Sequence, residues 1–224
     1  MSPVTHTGGF QSRTVGDIAA TLPGATRVFR RHKLDFCCGG DVPLSAAAAG
    51  RGLSLADLEA ELAALESGAP LPVPQTTPDL IAHIVARFPK AHRAVPPEMV
   101  RLARKAEAVH ATHPGVPAGL GDHLAGMAAE LASHMDREEE VLFPMLLTGG
   151  CAVVAYPIAR MRFEHNEHGE ALARLRQLAH DFEPPVGACR TWQALYAGLA
   201  KLTDDLMEHI HLENNVLFPR FAGH

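Results

Sequence analysis

Apolar residues recur along this chain at helical intervals. Residues 1–12 are polar and Gly-containing and read as a disordered tail. Thr14 followed by Asp17 has the form of a helix N-cap with an acidic residue at N3, so a first helix is expected to about Leu22, where Pro23-Gly24 breaks it. Ala25, Val28, Phe29 and His32 outline a second short helix ending before Asp35. A third fits Leu44 to Ala49. A fourth fits Ser54 to Leu65, with Ser54 as N-cap and Leu55, Leu58, Leu62 and Leu65 along one face. Residues 13–66 thus form a small helical domain. The alternating prolines Pro70, Pro72 and Pro74 suit an extended linker over 67–78. Residues 79–224 then hold four long amphipathic segments, about Asp79 to His110, Leu120 to Leu147, Val153 to Ala179 and Trp192 to Phe221, parted by Gly/Pro-rich joints. An all-α chain with an up-down four-helix bundle is the economical architecture. Composition agrees, since aromatics make up 5% of the chain while alanine and leucine abound.

The bundle contains an internal repeat. Glu130-Leu131-x-x-His134-Met135-x-x-Glu138-x-x-x-Leu142-Phe143-Pro144 returns as Asp205-Leu206-x-x-His209-Ile210-x-x-Glu213-x-x-x-Leu217-Phe218-Pro219, offset by 75 residues (209 − 134 and 213 − 138). Duplicated helix pairs should pack with pseudo-twofold symmetry, the repeats face to face. Residues four apart share a helix face, so each His-x-x-x-Glu pair projects to one side, here the apolar one. Carboxylates carried into a core beside imidazoles need a partner, and a cation supplies one. Mixed imidazole and carboxylate donors suit iron, manganese or zinc. The third long helix adds His165. Aligning His165-x-x-His168 with Pro89-x-x-His92, at an offset of 76 in both cases, puts a proline where the repeat expects a ligand. Proline cannot bind a metal and tends to kink a helix. His92, one turn on, is the nearest replacement; His83 is a poorer one. His168 and His92 otherwise read as surface or supporting histidines, Glu130 and Glu164 as orienting groups or salt-bridge partners, and the two Leu-Phe-Pro triplets as helix ends.

Charge and cysteine content narrow the partners. The net charge of −5 without a basic block argues against nucleic acid or an anionic membrane as partner, and neither a signal peptide nor a membrane span is apparent. A cytoplasmic protein is expected. The four cysteines do not form a disulfide framework. Cys37 and Cys38 are adjacent and followed by Gly39-Gly40, which frees the backbone for a turn or close approach. Such a pair can relay electrons, bind metal transiently or form a mixed disulfide. Cys151 and Cys189 read as incidental.

Cys37-Cys38-Gly39-Gly40 in a short helical unit, followed by a His/Glu bundle ending in Leu212-Glu213-Asn214-Asn215-Val216-Leu217-Phe218-Pro219, resembles the iron–sulfur cluster repair di-iron proteins over nearly the whole chain. The resemblance implies a hemerythrin-like bundle holding two non-haem irons. Its ligands would be His134, His165 and His209, with Glu138 and Glu213 bridging, and with Pro89 in place of a fourth histidine. The iron served by the first and second long helices would then keep His134 and the shared glutamates, with His92 as substitute. It also implies repair of clusters damaged by nitric oxide or oxidative stress, by iron supply or nitric oxide processing, with Cys37 and Cys38 as a redox or transfer arm beyond the linker. Iron–sulfur client proteins, nitric oxide or oxygen, and a homodimer through the N-terminal units are the partners expected. Two other readings stand beside it: a nitric oxide or oxygen scavenger or sensor, and a degenerate single-metal or zinc-bound bundle.

Overall fold

The computed structural model describes residues 9–65, 74–149 and 153–221. Among these residues every named element is helical, and an isolated bridge between Thr14 and Pro43 is the extent of β pairing. No helix described is long and apolar enough to cross a membrane. The chain divides into two contact units. One joins the N-terminal residues to the late segment Ile210–Arg220; the other holds Pro74–His209 and the residues from Phe221.

The N-terminal unit carries α1 (Val15–Thr21), α2 (Ala25–Arg31), α3 (Leu44–Gly50) and α4 (Leu55–Leu65). Thr14 caps α1 by accepting the Asp17 N–H at 3.2 Å, and Ser54 caps α4 by accepting that of Asp57 at 3.3 Å. Ile18, Phe29, Leu44, Leu58 and Leu62 are buried where the apolar spacing puts them. The tail expected over 1–12 includes described residues. Phe10–Ser12 forms a 3-10 turn, Phe10 is buried, and the Gln11 N–H donates to Glu59. Burial of the Phe10 ring and the Gln11–Glu59 hydrogen bond anchor that stretch. Residues 1–8, and most of the expected linker at 66–73, lie outside the described residues.

In the second unit α5 (Thr77–Arg87), α6 (Pro89–Val109), α7 (Leu120–Arg137), α8 (Phe143–Leu147), α9 (Ala155–Leu178) and α10 (Arg190–His211) build the bundle. The first long segment is not one helix. It breaks at Phe88, because Pro89 lacks an N–H and begins α6 as its N1 residue. The Leu-Phe-Pro triplets also depart from expectation, since neither ends the helical run. Each His-x-x-x-Glu motif passes into a π turn, Glu138–Leu142 in the first copy and Leu212–Leu217 in the second, and the chain then continues as α8 or as a 3-10 turn (Phe218–Phe221). The Phe143 N–H donates to the Glu138 carbonyl and the Phe218 N–H to the Glu213 carbonyl, five residues back in both copies. The wider turn relieves the clash between each following proline and the preceding helical carbonyls. Such turns occur often at functional sites.

Candidate metal centre

His134 lies near the end of α7 and Glu138 opens the first π turn, both almost wholly buried. His134 Nε2 stands 2.8 Å from Glu138 Oε1. The other ring nitrogen, Nδ1, is 2.7 Å from Glu164 Oε2 on α9. Burial would raise the Glu164 carboxyl, but hydrogen bonds from His134, Arg137 and Arg160 outweigh it and bring it down to about 2. Glu164 is therefore an ionised acceptor, so His134 donates through Nδ1 and its Nε2 is turned inward. There it meets His165 Nε2 at 3.2 Å, which is itself 3.8 Å from Glu138 Oε1. The ligand atoms of His134, Glu138 and His165 lie within 4.8 Å of one another.

Electron-rich atoms facing each other in a dry core repel unless a cation joins them. Neither Glu138 oxygen receives a hydrogen bond. Its two oxygens face different imidazoles: Oε1 turns to His134 and His165, while Oε2 lies 3.8 Å from His209 Nε2 on α10. This carboxylate stands between two nitrogen sets, as a bridging ligand would. The donor set therefore fits a buried metal.

The His209 side contains a group that sequence spacing only suggested. His92 is 1% exposed, its ring lies 5.2 Å from that of His209 between centroids, and neither of its ring nitrogens makes a hydrogen bond. Phe88 stacks on His209 at 4.9 Å and on His92 at 5.7 Å, so the break before α6 places an aromatic wall against both. Burial lowers His92 to about 3 and His209 to about 4, in the first case with help from the neighbouring His209. Both rings are neutral at pH 7, the form that ligates metals. The His134 ring thus neighbours that of His165, and the His209 ring that of His92. His168, expected at the surface or in support, is buried edge-on to His134 at 4.8 Å; burial lowers it to about 3. His83 and Glu130 are exposed. Glu213, the counterpart of Glu138 in the repeat, is fully buried in the second π turn.

Cys37 and Cys38 sit in the loop after α2, within the N-terminal unit. Asp35 Oδ1 accepts the backbone N–H groups of Cys37 and Cys38, each at 3.0 Å, and the Cys37 thiol at 3.3 Å. The two Sγ atoms are 3.5 Å apart, as thiols rather than a disulfide. The loop is not a loose arm. Asn214 donates to the Cys37 carbonyl at 3.0 Å and Asn215 to the Phe36 carbonyl at 2.9 Å. Gly40 accepts from the Gly16 N–H at 2.8 Å, an approach that leaves no room for a Cβ at either glycine. Cys151 lies outside the described residues. Cys189, read as incidental, is 3.1 Å from His110 Nε2, a contact that no local spacing reveals.

Residues 11–66 match a domain of unknown function, ScdA_N, and residues 83–221 match the hemerythrin HHE cation-binding domain. Similar proteins along nearly the full length include the iron–sulfur cluster repair protein YtfE of Edwardsiella ictaluri, 45% identical over 96% of this chain and 98% of the relative. YtfE of Dickeya chrysanthemi is 44% identical over 94% and 97%, and that of Cronobacter sakazakii 46% over 94% and 96%. The chain belongs to the family of iron–sulfur cluster repair proteins in which an N-terminal ScdA_N domain precedes a cation-binding hemerythrin bundle.

Proposed function

We infer that this chain acts in the cytoplasm to restore damaged iron–sulfur clusters in client proteins, using a bundle that holds two irons. His134, His165 and Glu138 Oε1 would hold one iron. His209, His92 and Glu138 Oε2 would hold the other, with Glu213, set four residues after His209 by the repeat, as the second bridging carboxylate. The observation that supports this most directly is Glu138, whose two oxygens face separate imidazole sets in the same dry core. Iron held there would supply open coordination positions for a diatomic ligand and a store of ferrous ion for a cluster under repair.

The protein's own groups do the rest. Glu164 fixes the His134 tautomer and keeps its ring turned inward, and is itself held by Arg137 and Arg160. Phe88 limits ring motion at His209 and His92. His92 would stand in for the ligand missing at Pro89. Cys38, half-buried, and Cys37, buried beside it, would act in the N-terminal unit as the redox or transfer group toward clients.

The test is iron content per chain of anaerobically purified protein, wild type beside His134→Ala, His209→Ala and His92→Ala. Two irons in the wild type, lost on His134→Ala or His209→Ala and reduced to one by His92→Ala, is the expected outcome. A wild-type protein that takes up a single iron, unaffected by His92→Ala, would remove the dinuclear reading.

A further inference from the structure

Three potential donors meet in the Cys37–Cys38 loop. The ligand atoms of Asp35, Cys37 and Cys38 lie within 4.8 Å of one another. The two Sγ atoms are 3.5 Å apart, and Cys37 Sγ is 3.3 Å from Asp35 Oδ1. A tetrahedral ion with bonds to sulfur and oxygen of the usual lengths spaces two sulfurs about 3.8 Å apart and a sulfur and an oxygen about 3.6 Å apart. The loop already stands within a few tenths of an ångström of that shape.

The loop geometry and electrostatics favour a cation over a bare nucleophile. Cys37 is 3% exposed. Its hydrogen bond with Cys38, then burial, then the nearby charges of Cys38 and Asp35 all push its thiol well above the ordinary cysteine range. A group held protonated in this way is a poor attacking thiolate at neutral pH. A divalent cation reverses each of these effects, because it favours two thiolates and a carboxylate close together. Access is open, since Asp35 is exposed and Cys38 half-buried. The backbone is held for the purpose: Asp35 accepts two N–H groups, Asn214 and Asn215 hold the carbonyls of Cys37 and Phe36, and Gly40 packs on Gly16.

We propose that Asp35, Cys37 and Cys38 form a metal site within the N-terminal unit. It takes a borderline-soft divalent ion, such as ferrous iron or zinc, through two thiolates and one carboxylate oxygen. On binding, each cysteine gives its proton to solvent and the two sulfurs share their electron pairs with the ion. Among the described residues these three donors meet, which leaves a fourth coordination position for water or an incoming ligand and lets the ion exchange. The site stands independently of how much metal the bundle holds.

The experiment uses the full chain, stripped of metal, reduced, and carrying Cys151→Ala and Cys189→Ala so that the loop holds the sole thiols. Cobalt(II) is titrated in without oxygen while thiolate-to-cobalt charge-transfer absorption is followed in the near ultraviolet. The bundle cannot produce this signal, since its donors are imidazole and carboxylate. One equivalent of thiolate-ligated cobalt is expected, with two protons released per ion, and the band should vanish in Cys37→Ser/Cys38→Ser. Loss of a metal's outer partner alone costs about 10–100-fold in affinity, so Asp35→Asn, which keeps an acceptor for the two N–H groups, should weaken binding by at least about tenfold. Absence of the band from a protein with unchanged helicity, or undiminished affinity in Asp35→Asn, would overturn the three-donor site.

Discussion

Cys189 shows what a single contact does to a side chain. It immediately precedes α10, and its thiol is lowered to about 7 chiefly by His110, with further help from the backbone N–H groups of Trp192 and Thr191 at the helix start. A lowered thiol pKa means substantial thiolate at neutral pH, lost as pH falls through 7. Alkylation of Cys189 by iodoacetamide, followed by peptide mass spectrometry, should be half-maximal near pH 7, with Cys37 unreactive there. His110→Ala should move that midpoint up toward about 8.5, the value of an ordinary thiol. A wild-type midpoint already at that value would mean the pair does not form. The residue scale also marks the limit of what could be read in sequence. His134 and Glu138 were legible because both lie on one helix face and the pattern repeats. Glu164, His168 and Cys189 act through partners about 30 or more residues away, and only packing reveals those.

At the scale of elements, apolar periodicity placed α1 to α4 and the bundle helices to within a few residues. The two π turns escaped it, and the break at Phe88 was signalled only by Pro89, a residue that tends to kink a helix. A π turn inserts one residue into a helical turn, a one-position shift of the apolar pattern followed by too few residues for spacing to register it. Pro89 was visible as an absent ligand, whereas its effect is to start α6 and leave Phe88 stacked on His209 and His92. Two glycines give this scale a test. A Cβ on Gly16 in α1 would lie 2.8 Å from Asn215 Oδ1 and 3.0 Å from the Gly40 carbonyl, with backbone on one side. Gly126 in α7 has nothing within 4 Å of the same atom. Gly16→Ala should therefore destabilise by about 1–3 kcal/mol through overpacking. Gly126→Ala should stabilise by about 0.5–1 kcal/mol through helix propensity alone. Denaturant midpoints of the two variants against wild type check the pair, and equal shifts of one sign would mean that the close approach at Gly16 is not maintained.

The whole molecule departs furthest from a reading in consecutive blocks. The sequence suggested a small domain, a linker and a bundle to the C-terminus, and the family matches at 11–66 and 83–221 follow the same order. The contacts divide the chain differently, because Ile210–Arg220 belongs with the N-terminal unit. Within that unit His211 meets Phe36 edge-on at 5.5 Å, Asn214 and Asn215 hold the cysteine loop, and Leu212, Leu217 and Phe218 are buried. Partners 177 and 179 residues apart carry no local signal, so spacing alone could not foresee them. The consequence is that the first 73 residues are an incomplete folding unit. A domain of roughly 60 residues is marginal even when whole, and this one would lose both apolar cover and two hydrogen bonds at about 1 kcal/mol each. A fragment of residues 1–73 should lack a cooperative thermal transition by circular dichroism and should bind a hydrophobic dye. Adding a peptide of residues 210–220 should restore part of the helicity, weakly, since the peptide must also be ordered. A fragment that melts cooperatively at the temperature of its counterpart in the full chain would show that the late segment rests on a unit already complete. In that case Asn214 and Asn215 would hold the cysteine loop without being needed to form it.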